Sequence, residues 1–126
     1  MQLSNYLSRA GEGGPVATPW GSLDWRIGGQ SMPGAEMTFG IVTIRPGERN
    51  PLHSHPNCEE ILYVISGRCE HRLETEIFPM APGDAVRIPA GMKHWARCVG
   101  SEPLVAAIAF SSGDRQTDNH EDDAAA

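Results

Sequence analysis

The sequence lacks any long apolar run. No stretch approaches the roughly 20 apolar residues that a membrane-spanning helix needs. Asn5, Arg9 and Glu12 interrupt the first dozen residues, so these residues do not form the apolar core of a signal peptide. The sequence therefore predicts no membrane helix, and we expect a cytoplasmic protein.

Basic residues and cysteines are also scarce. The 126 residues include 10 Lys and Arg against 16 Asp and Glu, and no basic cluster could follow a phosphate backbone. Nucleic acid is therefore not an expected partner. Cys58, Cys69 and Cys98 form an odd set without a CxxC pair, which argues against a disulfide framework or a cysteine zinc site and favours three reduced thiols.

Glycine and proline, by contrast, are abundant. The 14 Gly and 10 Pro leave no window for a long helix and suit short strands joined by tight turns, so the sequence predicts an all-β domain. The even spacing of the strands favours a sandwich or barrel. The predicted strands are Gly21 to Ile27, Glu36 to Ile44, Glu60 to Ser66, Arg68 to Leu73, Thr75 to Met80, Ala85 to Ile88, Met92 to Cys98 and Leu104 to Phe110.

One predicted strand, Glu36 to Ile44, is apolar on both faces. Met37, Phe39 and Ile41 alternate with Val42 and Ile44. A strand of this kind is covered on both sides. One cover is the barrel interior, and the other is expected to be a second subunit, which favours a homodimer.

Four residues from separate parts of the chain form a candidate metal site. His53 and His55 lie two positions apart, so in an extended strand they project from one face. Glu60 begins an apolar strand, where a buried carboxylate needs a partner, and His94 follows the turn at Pro89 to Gly91. Three imidazoles and one carboxylate suit a single divalent ion of iron, manganese, nickel, zinc or copper, and leave two octahedral positions open for a small-molecule substrate.

The spacing of these residues resembles two motifs of the cupin family. Gly47-x5-His53-x-His55-x4-Glu60-x6-Gly67 is similar to the first motif at every defined position, and Gly83-x5-Pro89-x-Gly91-x2-His94 is similar to the second as far as its histidine. The second motif usually ends in Asn, where this chain has Cys98. That Asn is not a ligand, so the departure affects only the hydrogen bonding near His94.

The resemblance implies a jelly-roll barrel, also called a double-stranded β-helix. Residues 1–112 are expected to form this single domain, with an N-terminal arm at residues 1–18 and the metal motifs at residues 47–67 and 83–98. Residues 113–126 form an acidic tail whose composition predicts disorder, with docking on the barrel or on a neighbour as the alternative. The polar run from Asp118 to Asp122 is assigned no site.

Several side chains near the motifs have competing interpretations. Glu59 is the rival of Glu60, and the spacing to Gly67 selects Glu60. Glu60 is also a possible catalytic group, and His71 is a weaker one that is expected at the surface rather than in the barrel. Cys58 and Cys98 either lie near the metal or are small buried side chains.

Three tryptophans and one arginine are expected to have no part in the site. Trp20, Trp25 and Trp95 are expected to serve packing or an interface rather than to stack on a substrate. Arg87 alternates with Val86 and Ile88, so it is expected to point away from the interior.

The favoured functional hypothesis is a metal-dependent enzyme of dioxygenase-like type. The alternatives are a metal-dependent isomerase, lyase or decarboxylase, and a non-catalytic protein that binds a small ligand. The resemblance to cupins implies these alternatives, because sites of this kind serve several reactions within that family. A sugar-modifying enzyme with a histidine base and no metal is disfavoured. Cupins of that kind commonly lose one or more of the metal ligands, and this chain keeps all four.

Overall fold

The computed structural model describes residues 1–121, and these residues form two antiparallel β-sheets. The eleven strands are β1 (Val16–Ala17), β2 (Gly21–Ile27), β3 (Thr38–Ile44), β4 (His53–Ser54), β5 (Glu60–Ser66), β6 (Arg68–Leu73), β7 (Glu76–Met80), β8 (Ala85–Ile88), β9 (His94–Val99), β10 (Leu104–Phe110) and β11 (Asp118–Asn119). A single 3-10 turn at Leu3–Asn5 precedes them. No helix in residues 1–121 has the length and apolar character needed to cross a membrane.

The two sheets face each other as in a jelly-roll barrel, which confirms the predicted fold class. One sheet has the strand order β1-β2-β3-β10-β5-β8 and the other β11-β4-β9-β6-β7. Alternate residues of β3, β5 and β10 are buried, and their neighbours are partly or fully exposed. The core between the sheets includes Ile44, Val64 and Leu104, none of which retains measurable exposure.

Most strands lie where the sequence predicts them, and three short ones were not predicted. The bounds of β2, β5, β6, β8 and β10 agree with the prediction, whereas β3, β7 and β9 start later. The strands β1, β4 and β11 have two residues each. Such short strands carry no readable alternation, and they form because a longer neighbour offers backbone hydrogen bonds.

The C-terminal tail docks on the barrel, as the docking interpretation predicts, whereas disorder, which composition alone predicts, is wrong for residues 113–121. Strand β11 pairs with β4, and the amide of His120 donates to Leu52 O at 2.8 Å. Glu121 forms an ion pair with Arg49 at 2.6 Å. These bonds fix the tail beside the strand that carries His53; residues 122–126, including Asp122, lie outside the described residues.

Gly67 allows the chain to pass from one sheet to the other between β5 and β6. Its φ of 75° lies in the left-handed region, and a Cβ atom there would lie 2.2 Å from Pro103 O. Gly83 also has a left-handed φ, of 95°, but an added Cβ would meet nothing within 4 Å.

Gly67→Ala should therefore destabilise the protein more than Gly83→Ala. Both variants carry the left-handed backbone penalty of about 1–2 kcal/mol, and Gly67→Ala adds an overpacking cost of about 1–3 kcal/mol. Urea unfolding of the two variants measures the difference. Equal losses of unfolding free energy would show that the contact with Pro103 does not constrain this corner.

Candidate metal centre

Strand pairing brings two of the predicted ligands together. His53 of β4 lies opposite His94 of β9, and their ring centroids are 4.1 Å apart. His55 follows β4 directly, and its ring centroid lies 5.0 Å from that of His53 and 5.2 Å from that of His94. Two segments far apart in the sequence thus present three imidazoles to one point.

Glu60 completes this group from the opposite sheet. It is the first residue of β5, and it is buried on the same face as Leu62 and Val64, as predicted. One ligand atom from each of His53, His55, Glu60 and His94 can be chosen so that all four lie within 4.8 Å of one another. We call these four residues the donor cluster.

Backbone carbonyls orient the three imidazole rings of the cluster. The Nδ1 atom of His53 lies 2.6 Å from Pro51 O, that of His55 lies 2.9 Å from Gln116 O, and that of His94 lies 2.9 Å from Met92 O. A carbonyl only accepts, so each Nδ1 must carry the ring proton. Each neutral ring then has an unprotonated Nε2, which is the form that binds a metal.

The Nε2 atoms of His55 and His94 lie so close to an oxygen of Glu60 that a cation between them would be stabilising. Glu60 Oε1 lies 3.1 Å from His94 Nε2 and 3.2 Å from His55 Nε2. His55 Nε2 is buried and has no hydrogen-bond partner. Acceptors this close repel one another unless a positive charge lies between them. The residues present therefore fit one divalent transition metal.

Burial keeps the imidazole of His53 neutral. It lowers the pKa of His53 from 6.5 to about 3, and a charge on His94 would lower it further. Burial also raises the pKa of Glu60, but a positive charge shared with His55 and His94 outweighs burial and holds this pKa well below its usual range. In the metal-free protein these pKa shifts favour a neutral His53 ring beside an ionised Glu60.

His71 is buried, so the expectation of a surface position is wrong. Only 1% of it is exposed, because Cys69, His71 and Leu73 share the face of β6 that turns inward. Its ring lies 6.2 Å from that of His94, and its Nδ1 has no hydrogen-bond partner. Burial lowers the pKa of His71 to about 4. It is not among the residues that line the cavity beside the cluster.

The remaining alternatives lie outside the cluster. Glu59 forms an ion pair with Arg87 at 2.9 Å on the outer surface, where the alternation of β8 predicted Arg87 to lie. Cys58 and Cys98 are buried free thiols, and burial raises the pKa of Cys58. Cys98 donates to Glu102 O at 3.1 Å. Neither cysteine is one of the four clustered donors.

A cavity of about 350 Å³ opens beside the donor cluster. Trp20, Leu23, Trp25 and Phe110 form its apolar wall. Trp20 and Trp25 pack against the core, as expected, and they also line this cavity. The alternation of β2 contains this signal, because Leu23 and Trp25 share one face of the strand.

The docked tail adds residues to this site that the sequence did not assign to it. Thr117 Oγ1 lies 3.2 Å from His55 Nδ1, and Arg115 and Asn119 line the cavity. His120 Nε2 bonds Ser54 Oγ at 2.8 Å behind the strand that carries His53. The tail therefore supplies one wall of the site and supports two of its ligands.

Comparisons with known proteins agree with this architecture. Residues 40–110 match the family model described as Cupin domain. The polyketide synthase CurC of Streptomyces cyaneus is 44% identical over 64 residues, which cover 51% of this chain and 42% of CurC. The chain spans about half the length, or less, of the curated relatives it matches.

Solved structures of oxalate decarboxylases have the same fold. The Lactobacillus farciminis enzyme in complex with formate has a TM-score of 0.78 and 26% identity, and the match covers 85% of this chain and 33% of that one. The Bacillus subtilis enzyme, in a structure that concerns the assignment of its Mn(II) centres by electron paramagnetic resonance, has a TM-score of 0.79 and 25% identity over 86% of this chain and 30% of that one.

The metal-free protein should lose stability as the pH falls from 6.5 towards 4.5. His53 and His71 take up protons at about pH 6.5 when unfolded but only near pH 3 and 4 when folded. The unfolded state therefore binds more protons in this range, and the unfolding free energy decreases by at most about 3 kcal/mol per pH unit for two such groups. Urea unfolding of chelator-treated protein between pH 7 and 4.5 measures this slope.

The variant His71→Phe provides the control for this pH dependence. Phenylalanine fills the same space beside Phe78 and does not titrate, so the slope should decrease by about half. An unfolding free energy that is constant between pH 7 and 4.5 in the unmodified protein would contradict the burial of neutral imidazoles.

Proposed function

The chain belongs to the cupin family, and we propose that it is a metal-dependent enzyme whose donor cluster holds one divalent transition metal beside a small-molecule cavity. The observation that carries this proposal is the convergence of three unprotonated Nε2 atoms on the Glu60 carboxylate. The Mn(II) centres of the structurally similar oxalate decarboxylase support the same metal class.

The cavity offers few groups for acid–base chemistry. Among the residues of the described chain that line it, Arg115 is the one titratable residue outside the donor cluster, and a guanidinium does not give up its proton in proteins. When bound, the metal supplies Lewis acidity and, if it is iron, the ability to activate dioxygen. This favours a dioxygenase-like reaction over an isomerisation that needs a separate protein base.

The protein's own side chains would bind and shield the substrate. Trp20, Trp25 and Phe110 provide flat apolar surfaces that exclude water and contact an aromatic or conjugated molecule. The carbonyl contacts of the three imidazoles fix the donor atoms before any ligand arrives. The name of the relative CurC, a polyketide synthase, supports a substrate from polyketide chemistry.

Decarboxylation is the second candidate reaction. It is favoured by the similarity to oxalate decarboxylases, one of which was solved as a formate complex. Substrate-dependent oxygen uptake by the metal-loaded protein supports the dioxygenase-like reaction, whereas release of carbon dioxide without net oxygen uptake supports decarboxylation. Binding of a substrate without either gas change favours a ligand-binding role.

His94→Ala should abolish stoichiometric metal binding. Loss of a direct ligand should weaken affinity by more than the roughly 10- to 100-fold typical of losing a supporting residue. Glu59→Gln is the matched control, because Glu59 neighbours Glu60 but forms its ion pair on the outer surface. Elemental analysis of both variants and of the unmodified protein, purified without added metal, measures the effect.

The metal content of the variants shows whether the ion binds at the donor cluster. We expect about one metal per chain in the unmodified protein and in Glu59→Gln, because the donor cluster is intact in both. Equal metal content in His94→Ala would show that the ion binds elsewhere.

We also propose that the protein is a homodimer that buries the outer face of β3, β5 and β10. Phe39, Ile61, Tyr63 and Ile65 are between 38% and 51% exposed, and Ala109 lies between Phe39 and Ile61. The outward residues of these three strands include no charged side chain. A second copy can therefore pack on this face without repulsion, despite a net charge of −6 per chain.

Tyr63→Glu should dissociate this dimer, because it places a charge within the apolar face. Ile77→Glu is the matched control, since Ile77 is similarly exposed, at 53%, but lies in the other sheet. Sedimentation velocity should show a dimer for the unmodified protein and for Ile77→Glu, and a monomer for Tyr63→Glu. If the dimer survives Tyr63→Glu but not Ile77→Glu, the interface lies on the sheet that contains β7, and the proposed interface is contradicted.

A further inference from the structure

The docked tail places an arginine at the cavity. Asn57 holds the backbone on both sides of Arg115: its Nδ2 donates to Asp114 O at 2.8 Å, and its Oδ1 accepts from the Gln116 amide at 3.0 Å. Farther along the tail, β11 pairs with β4. The backbone of Arg115 is thus fixed from two directions, and its side chain lines the cavity beside the donor cluster.

The Arg115 guanidinium packs on aromatic rings rather than on a carboxylate. Its central carbon lies 4.5 Å from the ring centroid of Trp25 and 5.2 Å from that of Phe110. The ring of Phe110 also contacts that of His55, with centroids 4.9 Å apart. The ring of Phe110 therefore contacts both the guanidinium and His55 of the donor cluster.

Most hydrogen-bond donors of Arg115 remain available to a ligand. Within residues 1–121 its side chain makes one hydrogen bond, to Thr117 Oγ1 at 2.7 Å, and no acidic side chain lies within ion-pair distance. A guanidinium has five N–H donors in a planar fork that matches a carboxylate. A partly buried arginine without an acidic partner beside a cavity is an anion-binding arrangement.

The charges around the cavity also favour the binding of an anion. Glu60 is the one acidic residue among the described residues that line it. A divalent ion in the donor cluster brings two positive charges, of which Glu60 balances one, and Arg115 adds another. Unbalanced charge is costly in a site with apolar walls, so a negatively charged ligand is favoured over a neutral one.

We propose that Arg115 is the anion receptor of the cavity, and that the substrate is a flat, mainly apolar carboxylate. Its acid group pairs with Arg115, its conjugated body lies against Trp25 and Phe110, and its far end reaches the donor cluster. This inference rests on the proposed metal-dependent function and specifies its substrate class. A purely structural Arg115 that only fastens the tail would give no selectivity for charge.

The experiment compares 1-naphthoate with its neutral analogue 1-naphthamide. Isothermal titration calorimetry on the metal-loaded protein measures both affinities, and elemental analysis confirms the metal content of each sample. The variants are Arg115→Gln, Arg115→Lys and the control Arg87→Gln, whose arginine lies on the outer surface in an ion pair with Glu59. The unmodified protein and Arg87→Gln should bind the acid at least about tenfold more tightly than the amide.

Arg115→Gln should bind the two probes with nearly equal affinity, and Arg115→Lys should retain part of the preference because it keeps the charge. The inference is overturned if 1-naphthoate does not bind the unmodified protein, if the acid has no advantage there, or if Arg115→Gln keeps the full preference. If no sample holds metal but the acid preference still depends on Arg115, the anion receptor is supported and the metal site is contradicted.

Discussion

The site depends on one electrostatic constraint, which is that ligand atoms of three imidazoles and one buried carboxylate lie within 4.8 Å of one another. Backbone carbonyls accept hydrogen bonds from the Nδ1 atoms of the three rings, so the Nε2 atoms of the neutral rings are left as acceptors. Two of these atoms lie within 3.2 Å of Glu60 Oε1. In a dry interior such an arrangement is unfavourable until a cation is shared among the four groups.

The fold maintains this arrangement through strand pairing rather than through local sequence. His53 and His94 are opposed because β4 pairs with β9, and Glu60 approaches from the other sheet. The tail then fixes His55 through Gln116 O and closes one side of the cavity. The same barrel that buries Ile44 and Leu104 thus excludes water from one side of the donors and leaves the other side open to a ligand.

The sequence predicts the residues that follow regular alternation. Glu60 shares its face with Leu62 and Val64, and Arg87 points outward from β8, as the period of two requires. The same rule places His71 inward with Cys69, but only if the orientation of β6 is known, and that orientation is set by pairing with β9. This is why the surface expectation for His71 was wrong.

The tail shows the limit of reading composition. Its acidic and polar residues are typical of disorder, yet pairing of β11 with β4 and the Asn57 contacts on both sides of Arg115 hold it in place. These are long-range hydrogen bonds to the backbone of the tail, and composition does not encode them. Arg115 could therefore not be assigned to the cavity from the sequence.

The most direct test of the central claim is an anomalous-diffraction map of crystals grown from protein that retains its metal. We predict one strong peak per chain, in direct contact with the Nε2 atoms of all three clustered histidines and with an oxygen of Glu60. A map without such a peak, in which a protonated imidazole donates a hydrogen bond to Glu60 instead, would contradict it.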